Sequence, residues 1–294
     1  MNSISAIERK TTAKPAHHHH HNHEADFPLP TLQELGTDLL QTTPSQRRTA
    51  LARPFIGLGF YILAAALDLW WLTPFIVFLI FVAVVTVTHD VVHGTIGLTK
   101  RQTDHALFWM GIVLMESGHA YKITHHRHHS AFPAETEDID PEGYPAHISL
   151  IGAVLYGPIF LTRLWIWAWG QSHHNRRQRV WLLIEALIPW VIITLGISFW
   201  EQTPYILLYA VLAIIGSWVY PLLTVYFPHK DFGDTPLTQT HTLRGRIIPA
   251  IFLELTYHLE HHLYPQVPSH HLKTLAERLD PFFERAGVKV WHVI

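Results

Sequence analysis

PFIVFLIFVAVVTVTHDVVH, residues 74–93, runs an unbroken apolar stretch into His89-Asp90-Val91-Val92-His93. A helix built on it buries or immerses everything up to Thr88, then presents His89 and His93 from one side, because positions i and i+4 differ by only about 40° around a helix. Two further clusters lie downstream, His125-His126-Arg127-His128-His129 and His258-Leu259-Glu260-His261-His262. On helices these aim His125, His128 and His129, and then His258, His261 and His262, from single faces, while His126 points about 100° from His125 and is the spare.

Composition sets the medium. Of 294 residues 49% are hydrophobic and 15% charged, well under the roughly 25% charged of a soluble domain. The net charge is −2 and no long run of like charge occurs, so a nucleic-acid partner is not expected. The chain has no cysteine, which excludes disulfides and thiolate or iron–sulfur ligation and leaves histidine or carboxylate for any metal.

Apolar runs cover Pro54 to Leu72, Pro74 to Thr88, Ile148 to Trp169, Val180 to Phe199 and Pro204 to Phe227, several of them near the roughly 20 residues that a span requires. The turns at Leu72–Thr73 and Glu201–Thr203 lack Lys and Arg, whereas Arg47, Arg48, Lys100, Arg176, Arg177 and Lys230 flank the other ends, which the positive-inside rule places in the cytoplasm. The expectation is an all-α integral membrane protein. It has four transmembrane helices in two hairpins, about residues 54–88 and 180–227, with interfacial helices, a cytosolic cap carrying the histidine boxes, and both termini cytoplasmic. The run from Ile148 to Trp169 contains Arg163 and would reverse the second hairpin if it crossed, so it is read as interfacial. Residues 1–53 form a polar segment with a histidine tract, His17 to His21 and His23, set apart from the membrane domain of residues 54–294.

Chance has to be weighed in a chain with 25 histidines. With independent positions, about one H-x-x-x-H arises by accident, but only about 0.1 of one H-x-x-H-H, and well under 0.01 of two. The paired H-x-x-H-H clusters are therefore the signal, and all three boxes fall on the cytoplasmic side of the topology. Eight or nine imidazoles exceed the four of a structural zinc site and suit two metals with open positions. Imidazole does not by itself choose iron over zinc. Two redox metals with vacant positions beside a membrane read as oxygen activation. A divalent-cation transporter fits less well, because the spans carry almost no metal-binding side chains at mid-depth.

The ordered boxes HDVVH, HHRHH and HLEHH, the acidic stretch Glu137-Asp138-Ile139-Asp140-Pro141 and the segment His262-Leu263-Tyr264-Pro265-Gln266-Val267-Pro268 resemble the membrane fatty-acid desaturase superfamily, over about residues 54–275. The resemblance implies two irons, O2 as oxidant and electrons from an external carrier of ferredoxin or cytochrome type. Its ligands would be His89, His93, His125, His128, His129, His258, His261 and His262, with one more histidine before the third box. His229, in Tyr226-Phe227-Pro228-His229-Lys230, matches that position, with His241 the competitor. Asp90, Glu260, Asp138 and Asp140 are candidates to orient ligand imidazoles from behind. His105, His119, His147, His173, His174, His270, His271 and His292 are read as surface or interfacial. The substrate would be a lipid-soluble molecule, a carotenoid or an acyl chain. Pro228-His229-Lys230 resembles the element found in carotenoid hydroxylases and ketolases and leans the reading to β-carotene ring hydroxylation, with acyl desaturation as the alternative.

Overall fold

The computed structural model describes residues 28–132 and 141–294; the His17–His21 tract and Asp138 and Asp140 lie outside these. Among these residues twelve α-helices succeed one another, α1 (Leu32–Leu35), α2 (Pro44–Ala66), α3 (Thr73–Val92), α4 (Lys100–Leu114), α5 (Gly118–Ala131), α6 (Leu150–Gln171), α7 (Arg176–Ser198), α8 (Tyr205–Pro221), α9 (Phe227–His229), α10 (Ile247–Ile251), α11 (His258–Leu263) and α12 (Leu272–Ala286). One two-residue parallel ladder, β1 (Leu243–Arg244) with β2 (Trp291–His292), pins the C-terminal segment.

Five helical stretches are long and apolar enough to cross a membrane, Pro44–Ala66, Trp70–Val92, Leu150–Gln171, Arg176–Ser198 and Tyr205–His229. The β-branched run in α3 would be a poor helix in water. In hydrocarbon the helix is enforced, because every backbone N–H and C=O must be paired within the segment. The second stretch is 78% buried within the protein, against 17–33% for the others, so α3 is the central staff and the rest surround it. Their outward sides carry Phe55, Phe60, Leu187, Trp190 and Ile215, all exposed, as a lipid-facing belt requires.

The first span starts earlier than the apolar run suggests. Thr43 caps α2 through a reciprocal pair with Gln46, and Pro44 takes the first turn, so Pro54 lies inside the helix and the expected 53/54 boundary falls within α2. Pro74 does occupy the first turn of α3. The helix over Leu150–Gln171, expected to be interfacial, has the length and composition of a candidate span. It packs beside α5 in the opposite direction: Ala168 near its end meets Ala120 and Leu182, while Phe132, just past α5, touches His147, just before α6.

A second, smaller core lies outside the spans. α12 buries Leu272, Leu275, Ala276, Leu279, Phe282 and Phe283 along one face, against Leu35, Leu39, Tyr257, Leu259, Tyr264 and Val267. Arg278 pairs with Asp38 at 2.7 Å, and the Tyr264 hydroxyl donates to Pro30 O at 2.6 Å, so the segment before α2 straps this cap onto the bundle.

Close helix approach depends on glycines, Gly118 and Gly157 among them. A Cβ at Gly118 would lie 2.6 Å from Leu107 O, and one at Gly157 would lie 2.0 Å from Trp218 O. Because the obstacle at Gly157 is backbone, Gly157→Val is expected to separate α6 from α8 at a cost of about 1–3 kcal/mol. The check is the thermal midpoint in detergent, compared with Gly59→Val, where a Cβ meets nothing within 4 Å.

Candidate metal centre

Each histidine is delivered by the end of a helix. His89 sits in the last turn of α3 and His93 at its C-cap; His125, His128 and His129 occupy the last turns of α5; His258, His261 and His262 make up half of α11. The ninth arrives through a local irregularity. Between α8 and α9 the chain makes a π-turn over Leu222–Tyr226, in which the Phe227 N–H reaches back to Leu222 O. One extra residue in a turn rotates the next stretch of helix by about 100°, and His229 ends the span fully buried.

These side chains converge in two groups. His89, His93, His125, His129 and His261 have ligand nitrogens within 4.8 Å of one another, and so do His128, His229 and His262. His258 joins the second group, its Nε2 3.0 Å from His229 Nε2. All nine histidines expected from the sequence are thus brought together. His126 is exposed and in neither group, while His241 bonds to Lys230 O at 2.6 Å and lies outside both.

The donor set suits metal. Nε2 atoms face one another at 2.9 Å in His89–His261 and His129–His261, at 3.0 Å in His93–His125 and at 3.4 Å in His128–His229. Nitrogens bound about 2.0–2.1 Å from a shared ion, at right-angle to tetrahedral separations, stand about 2.9–3.4 Å apart. The tautomers agree. A carbonyl only accepts, so His229 must donate from Nδ1 to Gln239 O at 3.0 Å, which leaves its Nε2 a bare lone pair aimed at the Nε2 atoms of His128 and His258. Among the described residues His262 Nε2 is buried with no hydrogen-bond partner. Burial, reinforced by neighbouring imidazoles, holds His125, His129, His261 and His262 well below the ordinary histidine range and lowers His93 to about 2 and His258 to about 3. These rings are neutral at pH 7, the form that binds metal.

The supporting carboxylates differ from expectation. Asp90 lies 3.7 Å from His89 Nδ1, too far for a hydrogen bond, and instead accepts from Ser269 N at 3.0 Å and Ser269 Oγ at 2.7 Å. It ties the first box to the segment after the third. Glu260 points away from the imidazoles to Arg244, at 2.9 Å from Nε and 2.7 Å from Nη2, and Arg244 continues to Asp280. Burial raises the Glu260 carboxyl against the pull of that guanidinium, and the pair clamps α11 to β1. The acid that orients a ligand ring is Glu142, 2.7 Å from His125 Nδ1 and buried. Only its place just beyond the acidic stretch hinted at it. His119, read as a surface residue, is buried, whereas His105, His147, His173, His174 and His292 are exposed and His270 and His271 half-buried.

Removing the acid that orients His125 should weaken metal binding. Glu142→Ala is expected to lower metal affinity about 10–100-fold, while His126→Ala leaves it unchanged. Metal analysis of purified protein after graded chelation reads both.

The family model for fatty acid desaturase matches residues 68–294, a stretch that contains all three boxes and His229. No curated protein matches the chain. A match of that extent, over a membrane-type helical bundle whose boxes converge on two imidazole groups, settles the assignment: the chain belongs to the fatty acid desaturase family.

Proposed function

We propose that this protein is an O2-dependent, non-haem di-iron oxidoreductase that oxidises a C–H bond of a long, membrane-dissolved lipid. The observation that carries the reading is the sorting of nine imidazoles into two adjacent groups in a desaturase-family chain. The first ion would be held from His89, His93, His125, His129 and His261, the second from His128, His229, His258 and His262. Bound iron would supply the reduction of O2 and the oxidising power. The chain's own part is to hold the rings neutral and oriented and to admit the substrate from the lipid side. Electrons come from an external carrier of ferredoxin or cytochrome type.

Four of the five candidate spans cross in this proposal, with α6 along the interface and both termini cytoplasmic. A parity argument supports it. α7 and α8 form a hairpin in which Gly196 touches Leu207, and α8 runs on to His229, so the start of α7 lies on the metal side. α6 begins on that side too, where Pro141 O accepts from the Tyr156 hydroxyl and Glu142 holds His125, and it leads into α7. A helix that starts and ends on one side does not cross. Tags placed at Leu72–Thr73 and Glu201–Thr203 should then be shielded from reagents added on the side that labels the Pro265–His271 loop, and a tag at Gln171–Asn175 should label together with that loop. A tag at Gln171–Asn175 reporting from the opposite side makes α6 the fifth span.

For substrate, the proposal is hydroxylation of a β-carotene ring, supported by Pro228-His229-Lys230; residues 258–268, HLEHHLYPQVP, favour acyl desaturation as the second reading. In aerated cells that accumulate β-carotene, the protein is expected to yield oxygenated pigments and no new unsaturated acyl chain. The purified protein should hold two irons, and His128→Ala, His261→Ala and His229→Ala should each lower bound iron and turnover together, with His241→Ala mild. Zinc as the sole metal overturns the oxidase, whereas unchanged pigments with a new acyl double bond overturn only the substrate.

A further inference from the structure

In the middle of apolar α7 stands a carboxylate, Glu185, whose side chain is wholly buried. An ionisable group on such a helix is costly and needs defined partners. Glu185 Oε1 lies 2.6 Å from His119 Nδ1, and Oε2 accepts from Ser117 Oγ at 2.5 Å and from the His119 backbone N–H at 3.2 Å. The His119 ring lies flat on Trp181, centroids 5.0 Å apart, with Nε2 3.5 Å from Asp104 Oδ1 and making no hydrogen bond, so that a small movement of either side chain has to close this step. Asp104 is bonded to Arg177, which is half exposed in the first turn of α7. At the other end Ser117 and Glu116 line a small cavity with Thr88, Tyr121 and Tyr220. Thr88 precedes His89, and Tyr121 stacks on His125 with centroids 4.8 Å apart, so this cavity abuts the first imidazole group. It has room for a water molecule.

Holding three helices together does not require these groups, since apolar side chains of like volume do so at least as well. Nor do they close on themselves: they form a line from an exposed arginine to a cavity beside the candidate metal centre. We infer that Asp104, His119, Glu185, Ser117 and Glu116 are a proton path from the aqueous face to that cavity, an inference that rests on the oxidase reading above.

The reaction requires one. Hydroxylation, R–H + O2 + 2 e− + 2 H+ → R–OH + H2O, places one oxygen in the new C–O bond and releases the other as water; desaturation takes the same two electrons and two protons and releases two waters. Along the path a solvent proton taken at Asp104 passes to His119 Nε2, and the Nδ1 proton moves to Glu185. Glu185 hands it on to the Ser117 hydroxyl, which accepts one proton and gives up its own to a water in the cavity, and that water passes a proton to Glu116. Once Glu116 gives its proton up to the cavity each group has its starting charge, with His119 left as the Nε2–H tautomer, which must return to Nδ1–H before the second proton passes. Burial, with the nearby Glu185 charge, pushes Glu116 up to about 7, so it holds and releases a proton near neutrality. The other polar groups facing the path are Arg177 from α7, Thr88 from α3, Tyr121 from α5, Tyr220 from α8 and Glu142, whose charge reaches Tyr121; α6 contributes only Leu161 and Leu164 to the cavity.

The test compares iron-loaded wild type with Glu116→Gln, Glu185→Gln and Glu116→Asp, measuring bound iron, thermal midpoint, and turnover against pH in H2O and D2O. The expected result is unchanged iron with turnover lowered on the order of a hundredfold in Glu116→Gln, a raised solvent isotope effect, and recovery of most of the loss in Glu116→Asp. A protonated-carboxyl infrared band that titrates near neutrality, in protein with or without iron, should vanish in Glu116→Gln. Both Gln variants keeping wild-type turnover, pH profile and isotope effect, or both losing turnover only in proportion to iron, overturns the path. Wild type that holds iron but consumes no O2 overturns the oxidase reading and the path with it.

Discussion

Imidazole nitrogens pressed together with their lone pairs inward repel one another, and the rest of the fold exists under that constraint. His229 shows it most plainly, because its Nδ1 is committed to a carbonyl and its Nε2 can only face His128 and His258 as an acceptor. Protonation would relieve the clash by making donors, but burial among other imidazoles opposes it, holding His93 near 2 and His258 near 3. A bound cation removes the repulsion without charging any ring, so the free energy of metal binding is also free energy of folding for the cap. Without an ion the scaffold must hold the rings against their own repulsion.

That scaffold ties the ends of distant segments together. Asp90 joins the end of α3 to the turn after α11, Glu260 and Arg244 join α11 to the C-terminal ladder, and Glu142 fixes a ring on α5 from the segment leading into α6. Asp90 reaches across 179 positions, whereas the Glu260 and Glu142 contacts close loops of 16 and 17 positions. Buried ion pairs contribute little net stability, but breaking one leaves an uncompensated charge. This explains why acids beside the boxes serve geometry even where they touch no ligand ring.

The boxes were legible because a helical period converts i, i+3 and i+4 spacing directly into one face, whereas His229 was found through the family resemblance, helped by its place at the end of the last apolar run. The start of α2 was hidden by polar composition, although Thr43-Pro44-Ser45-Gln46 carried the cap that sets it. Asp90 and Glu260 drew attention by lying inside the boxes, yet a residue next to a ligand on a helix points about 100° away from it, toward other partners. Glu142 had no periodicity to reveal it, since its role depends on how the chain between α5 and α6 returns. Glu185 and His119 are buried partners 66 positions apart, and one buried acid in an apolar run was the only hint of either.

A centre of this kind has to stand at a boundary. In the proposed reaction an apolar substrate reaches it from the hydrocarbon, while electrons and protons originate in water, so the ligand helices would end where the two media meet. α3 does this with one segment, running apolar to Thr88 and then turning to His89 and Asp90 within two residues. On its membrane side a line of polar groups runs from Asp104 to Glu116, at the cavity beneath His89 and His125 that Thr88, Tyr121 and Tyr220 also line. Water admitted freely would serve as a proton source, but it would also hydrate the apolar path that the substrate needs. Carrying protons on fixed side chains keeps that path dry, and it gives a physical reason for the cost of burying Glu185 in the bilayer.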